Sequence, residues 1–205
     1  MMGSRIMHLI IANKIAKSIA IQDRTSFLLG GIAADAASNK DLSHFFTGSA
    51  HDYSRSVDYN SFLHKYRLQA ENDFVLGYFT HLIADDIWLK GFYLPWLKNR
   101  MESNEEMINL YHNDFRLLNG KLLEYYGYTE ELQELLEGPA TIVELEEVKL
   151  EDFKKFIPYV IEDMNCNESE INEKLKVFTF DQIVGYVETS VEMGLFWINQ
   201  KRDSI

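Results

Sequence analysis

The chain has 205 residues, of which 46% are apolar, enough for one sizeable hydrophobic core. Lys and Arg number 20 against 32 Asp and Glu, and the net charge of −12 argues against a nucleic-acid partner, because phosphate contacts need clustered cations. The single cysteine, Cys166, excludes an intrachain disulfide and favours a reducing compartment.

The first residues lack the pattern of a secretory signal. The apolar run Ile6–Ala12 is followed by Asn13, Lys14 and Lys17, and no cleavage site comes after it. No apolar stretch reaches the length of a membrane span. We therefore expect a cytoplasmic protein without integral membrane association, and the sequence leaves its oligomeric state open.

Apolar residues recur with helical spacing over most of the chain, which has only three prolines and eleven glycines. The pattern predicts one all-α domain over residues 1–205, a compact multi-helix bundle. We expect helices over 5–20, 24–37, 58–69, 71–98, 103–126, 129–137, 150–164 and 180–201. Residues 38–57, rich in Ser, Asn, Asp and Gly, predict a loop, and 138–149 are ambiguous between a loop and an extended segment.

Several residues have the character of helix ends. Ser103, Thr129 and Asp181 are predicted N-caps, and Ser103–Glu106 has the spacing of a capping box. Gly127 is a predicted C-terminal glycine.

His81 and Asp85 are the strongest sign of chemistry in the chain. They lie four residues apart in the apolar segment Gly77–Trp88, so a helix would present both side chains on one face. An imidazole and a carboxylate placed in this way can share one metal ion. A buried carboxylate needs a partner, which is either a cation or a basic side chain.

Three further residues of metal-ligand type lie beside apolar residues in the first half of the chain. His8 falls in the first predicted helix, Asp35 near the end of the second, and His44 in the loop that follows. An unpaired polar group among apolar side chains is costly, so the set is more informative than any member.

The segments that carry these residues resemble the ordered motifs of the zinc-dependent phospholipase C family. They are Ser4–His8, Phe27–Asp35, Ser43–Phe45 and Gly77–Trp88, and they cover roughly the first hundred residues. The resemblance implies a compact all-helical bundle with a zinc cluster in a cleft, where a metal-bound water attacks a phosphodiester. By position it makes metal ligands of His8, Asp35, His44, His81 and Asp85.

The resemblance also implies catalytic roles for two of these residues. The aspartate that matches Asp85 bridges two zinc ions in secreted members, and the one that matches Asp35 is both a ligand and a proposed base. Two features of the family are missing. The chain lacks the N-terminal tryptophan whose amino group is a ligand, and His112, the only histidine after Asp85, is followed four residues later by Arg116 instead of glutamate. We therefore expect one or two zinc ions, or another divalent metal, instead of three.

Other residues are weaker candidates for the site. His51 and Asp52 form an adjacent His-Asp pair, as in HD-type phosphohydrolases, and His51 is an alternative ligand to His44. His112 and Asp114 could reach the cleft from the fifth predicted helix. Arg5 could bind a substrate phosphate, although a salt bridge to one of the many carboxylates is the simpler interpretation.

These patterns favour a metal-dependent hydrolase that acts on a phosphoric ester, either a small phosphodiester or a phospholipid-like substrate, with Asp35 and Asp85 as its catalytic residues. The alternative is a non-catalytic metal-binding or interaction protein that keeps the phospholipase C-like fold. A third hypothesis is a metal-free helical protein in which His81 and Asp85 bond to each other or to Arg5.

Overall fold

The computed structural model describes residues 4–203 and has an all-α fold, as predicted. The α-helices are α1 Arg5–Ser18, α2 Arg24–Ala33, α3 Lys40–Ser43, α4 Tyr59–Lys65, α5 Asp73–Trp88, α6 Lys98–Ser103, α7 Glu106–Tyr126, α8 Thr129–Glu137, α9 Leu150–Glu162, α10 Glu168–Asn172 and α11 Phe180–Asp203. Short 3-10 helices occupy Ala34–Ala36 and Arg67–Gln69, and a π-helix occupies Leu89–Leu97. The paired strands are β1 Phe46–Thr47 and β2 Ser56–Val57, antiparallel with Phe46 opposite Val57.

The predicted helix over 71–98 is wrong in its second half. The α-helix ends at Trp88 and the chain continues as a π-helix that contains Pro95. Proline has no N–H to donate to the carbonyl four residues earlier, so a regular α-helix cannot pass through this position unchanged. π-Helices are rare, occur mostly as single-turn bulges within α-helices, and are frequent at functional sites.

Of the predicted helix ends, Gly127 is confirmed and the three N-caps are wrong. Gly127 ends α7 in the left-handed conformation, with φ of 66°. Ser103 ends α6, and the Asn104 side chain accepts the Glu106 N–H instead. Thr129 is the first residue of α8, after Tyr128. Before α11, Thr179 Oγ1 accepts the N–H of Gln182 at 3.2 Å, so the cap lies two residues before the predicted Asp181.

The predicted loop over 38–57 also contains α3 and the two strands. Asn39 caps α3 by accepting the Leu42 N–H, and the Tyr78 hydroxyl donates to the Ser43 carbonyl at 2.6 Å. These bonds hold the segment before His44 against α5. The ambiguous residues 138–149 form no helix and have one isolated bridge, between Leu145 and Val148.

Helices α2 and α5 lie unusually close together because each has a glycine that faces the backbone of the other helix. A Cβ added to Gly30 would lie 2.0 Å from the Phe74 carbonyl oxygen, and one added to Gly77 would lie 1.9 Å from the Phe27 carbonyl oxygen. A larger residue therefore cannot replace either glycine without separating the helices. This contact joins the middle of α2 to the first turns of α5.

The buried apolar side chains form one cluster that includes residues of α1, α2, α5, α7 and α11. Helix α1 is buried along most of its length, from Ile6 to Ala16. Within residues 4–203, no helix has both the length and the apolar character that a membrane span requires.

Candidate metal centre

The middle of α5 presents His81 and Asp85, each about 1% exposed, toward α1 and α2. His81 Nδ1 lies 2.8 Å from the Gly31 carbonyl oxygen. A carbonyl only accepts, so Nδ1 carries the proton and donates it, which leaves a lone pair on Nε2. That Nε2 atom lies 3.6 Å from Asp85 Oδ2. Helix α2 thereby fixes both the ring orientation and the tautomer of His81.

Helix α1 brings His8 to the same point. Its Nε2 atom lies 3.4 Å from Asp85 Oδ1, and its ring stacks on that of His81 with 3.9 Å between centroids. His8 lies in the most buried stretch of α1 and is only 2% exposed.

The chain that follows α2 supplies Asp35 and His44. His44 Nε2 lies 3.5 Å from Asp35 Oδ1 and 3.4 Å from Asp85 Oδ2. His44 Nδ1 lies 3.0 Å from the Lys40 carbonyl oxygen, so here too a carbonyl places the proton on Nδ1 and leaves Nε2 free to act as a ligand.

The spacing of these atoms fits ligands around a cation better than direct hydrogen bonds. Separations of 3.4–3.6 Å exceed the usual range for a hydrogen bond. Ligands about 2.0–2.1 Å from a tetrahedral zinc ion lie roughly 3.3–3.4 Å apart. Two groups of ligand atoms each lie within 4.8 Å of one another, one formed by His8, His81 and Asp85, the other by Asp35, His44 and His81.

Several buried polar atoms of the cluster have no hydrogen-bond partner within residues 4–203. They are both oxygens of Asp85, Oδ2 of Asp35, Nε2 of His81 and Nδ1 of His8. Unpaired buried polar atoms are rare because each costs free energy, and four of these five atoms are lone-pair donors of the kind that a metal ion satisfies. The residues present therefore fit a divalent cation.

The electrostatics of the cluster suit metal binding. Burial favours a higher pKa for Asp85, but the charge of His81 and the contacts with His8 and His81 outweigh it and hold the pKa well below its ordinary value. Asp35 behaves in the same way, with the His44 contact as the main opposing cause. Burial, assisted by the charge of His81, lowers the pKa of His8. Ionised carboxylates and neutral imidazoles are the forms that bind metals.

The pKa of His81 indicates that the cluster carries negative charge that a cation would balance. Burial alone would lower its pKa, but the carboxylates of Asp85 and Asp35 raise the pKa above its ordinary value. In the absence of a metal, these two buried carboxylates favour a proton on His81. A divalent ion would compensate the same negative charge without that proton.

A cleft of about 420 Å³ adjoins the cluster. Lys40 and Phe46 join the two, because Lys40 Nζ lies 3.9 Å from Asp35 Oδ1 and the Phe46 ring stacks on His44 at 5.5 Å. The cleft therefore lies next to the cluster on the side of Asp35 and His44, separated from it by Lys40 and Phe46. Tyr93, from the π-helix, lines it as well.

The structure does not bring His51 or Asp52 into the cluster. Both are exposed in the turn before β2, and neither belongs to a group of candidate ligands among the described residues. Asp52 instead accepts bonds from Ser54. The HD-type arrangement and the substitution of His51 for His44 are therefore wrong, because this polar loop points its side chains to solvent.

Arg5 and His112 lie near the site without joining it. Arg5 forms a salt bridge with Asp163 at 2.7 Å, which is the simpler of the two interpretations of this residue. Arg5 therefore does not pair with Asp85, but His81 Nε2 lies 3.6 Å from Asp85 Oδ2, a separation that an ion pair with protonated His81 also explains, so the metal-free hypothesis stays open. His112 is exposed on α7 and lines the cleft.

Asp114 is not a site residue. It is fully buried, and its carboxylate accepts backbone N–H groups from Lys176, Val177 and Phe178 at 2.7–3.1 Å. These bonds tie the segment before α11 to α7. Asp114 also belongs to no group of candidate ligands among the described residues.

Lys40 is the residue beside the centre that the sequence did not reveal. It lies five residues after Asp35, inside the segment predicted as a loop, and donates to the Asp35 carbonyl oxygen as well as facing its carboxylate. Its spacing of five from Asp35 follows no helical period, and its helical spacing of four from His44 lies in a segment predicted as a loop, so the pattern did not indicate it. The carbonyls of Gly31 and Lys40, which orient two histidines, leave no sequence signal at all.

The five predicted ligands thus converge from α1, α5 and the chain after α2, and these buried His and Asp groups could hold a metal ion. No protein-family model, curated protein or solved structure matches this chain.

Proposed function

We propose that this protein is a metal-dependent hydrolase of phosphoric esters of the zinc-dependent phospholipase C type. The observation that supports it best is a set of buried ligand atoms on His81, Asp85 and Asp35 that have no hydrogen-bond partner among the described residues and lie beside a cleft lined by Lys40. Three imidazole nitrogens and two carboxylates form a donor set that suits zinc, with other divalent metals as alternatives.

The ligands would divide into two groups. His8, His81 and Asp85 form one, with Asp85 Oδ1 toward His8 and Oδ2 toward His81 and His44. Asp35 and His44 lie on the side of the cleft. This division suits one or two ions, since His81 belongs to both groups of candidate ligands and Asp85 Oδ2 also lies 3.4 Å from His44 Nε2.

When bound, the metal would lower the pKa of a coordinated water to about 7 and offset charge on the phosphate oxygens. Asp35 would orient the attacking water and accept its proton through Oδ2, which has no other partner. Lys40 would donate to a phosphate oxygen that enters from the cleft. Asp85, which contacts three histidines, would hold the centre together instead of moving protons.

Turnover of bis(4-nitrophenyl) phosphate by protein purified without chelators tests this function. We expect hydrolysis by the wild type and its loss, together with the metal, in His81→Ala. Asp35→Asn should retain at least part of the metal and lose most of the rate. His64→Ala is the matched control, because His64 is exposed on α4. Unchanged turnover in His81→Ala would refute the assignment.

One observation favours the alternative of a non-catalytic metal protein. The candidate ligands are only 1–6% exposed, which is typical of a structural metal site closed to substrate. Metal content without turnover, on a panel of phosphodiesters and phosphomonoesters, would support this alternative and exclude the hydrolase.

A further inference from the structure

The cleft beside the candidate metal centre has the opposite charge character from the rest of the molecule. The chain carries a net charge of −12, yet the described residues that line this cleft include Lys40, Arg55 and His112 and no aspartate or glutamate. Phe46, Tyr93 and Tyr111 contribute aromatic surface. Low-dielectric walls with charge of one sign concentrate the field and attract ions of the opposite sign.

Arg55 is the cation placed to contact a bound substrate at a point away from the candidate metal ligands. Its guanidinium lies over the ring of Phe46 at 4.1 Å, and Phe46 in turn stacks on His44. The aromatic contact limits the directions that the guanidinium can take, and its planar fork suits a carboxylate or phosphate.

The carboxylate that already pairs with Arg55 does not block this role. Asp41 forms the salt bridge, but its side chain is 72% exposed. Ion pairs with an exposed partner contribute little free energy, so a ligand anion can replace Asp41 at low cost.

We propose that this cleft binds a second anionic group of the substrate, through Arg55, next to the phosphate that Lys40 faces. The position of the phosphate depends on the proposed function, but the anion contact of Arg55 does not. The cleft volume of about 420 Å³ suits a small water-soluble ester. A substrate whose alcohol part carries a quaternary ammonium is disfavoured, because Lys40 and Arg55 would repel its positive charge.

Equilibrium titration calorimetry with three phosphonates of similar length tests the proposal without requiring turnover. The probes are 2-carboxyethylphosphonate, n-propylphosphonate and 2-aminoethylphosphonate, added to protein that retains its metal. We expect the anionic probe to bind about tenfold more tightly than the neutral one, and the cationic probe to bind most weakly. In Arg55→Gln, this preference should shrink to about twofold or less.

Two control variants accompany the titration. Arg55→Lys should keep most of the preference, because the charge remains, and Arg67→Gln should keep all of it, because Arg67 is exposed beyond α4 and does not line the cleft. Equal affinity of the wild type for the three probes, or a preference unchanged in Arg55→Gln, would overturn the proposal. A preference retained by a protein that hydrolyses no phosphodiester would refute the proposed hydrolase and leave the anion site standing.

Discussion

The two histidines on either side of Asp85 Oδ2, His44 and His81, are oriented by backbone carbonyls before any ligand arrives. Each uses Nδ1 to donate to a carbonyl oxygen and turns Nε2 toward the carboxylates. This arrangement reduces the reorganisation that metal binding requires, because rings and tautomers are already set.

The Lys40 side chain is expected to contribute to turnover without binding the metal. Lys40→Gln removes the charge that faces Asp35 and the cleft but leaves the five ligands intact, so kcat/KM for a phosphodiester should fall about 10- to 100-fold while the metal content stays unchanged. Steady-state kinetics and elemental analysis measure the two effects. Lys90→Gln is the matched control, since Lys90 is 60% exposed and pairs with Asp86. Equal kinetics of the two variants would show that Lys40 has no role.

Asp114 provides a prediction of stability. Asp114→Ala leaves the N–H groups of Lys176, Val177 and Phe178 without their acceptor, so we expect a loss of about 2–3 kcal/mol in the free energy of unfolding by urea. The metal content should not change. Asn113→Ala removes only an exposed contact with Arg116 and should have little effect. A loss of metal in Asp114→Ala would restore Asp114 to the site.

At the scale of helices, the metal centre depends on the contact between α2 and α5. Gly77→Ala places a methyl group against the Phe27 carbonyl, so the helices must separate. We expect a loss of about 1–3 kcal/mol or more in unfolding free energy, together with weaker metal binding, because Asp35 moves relative to His81. Urea unfolding and metal titration measure the two effects.

Gly91→Ala is the matched control for this prediction. Gly91 lies in the π-helix, and a Cβ there would meet nothing within 4 Å. This variant should unfold like the wild type. If Gly77→Ala did so as well, the close contact between α2 and α5 would not determine the geometry of the centre.

Helix α7 was predictable from a buried face that repeats with helical spacing, whereas α1 and α5 are buried on nearly all sides and were predictable as long apolar segments without proline. The π-helix was not, because it depends on how Pro95 is accommodated after Trp88. The site also contains residues that the sequence predicts and residues whose role it does not reveal. His81 and Asp85 share a helix face, so sequence spacing indicates their meeting. Asp114 has the same residue type and a similar buried setting, but its partners come from backbone more than 60 positions away, which no local pattern reveals.

For the whole molecule, the candidate centre joins three parts of the N-terminal half at a buried point, so metal binding should stabilise the fold. Chelation should lower Tm by about 10 °C, which corresponds to a ligand present at roughly a thousand times its Kd. Calorimetry with and without chelator measures this shift, and added zinc should reverse it. A Tm that is insensitive to chelator would mean that no metal compensates the two buried carboxylates and would favour the metal-free hypothesis.

The proposed function requires that the buried cluster around Asp85 binds a divalent metal ion. Elemental analysis of protein purified without chelators and then dialysed against zinc tests it most directly, with Asp85→Asn and the neighbouring Asp86→Asn compared in parallel. Asp86 pairs with Lys90 and belongs to neither ligand group. We predict about one or two ions per chain in the wild type and in Asp86→Asn, and less than about 0.1 in Asp85→Asn. A wild-type protein without metal, or equal metal content in Asp85→Asn and Asp86→Asn, would contradict the account.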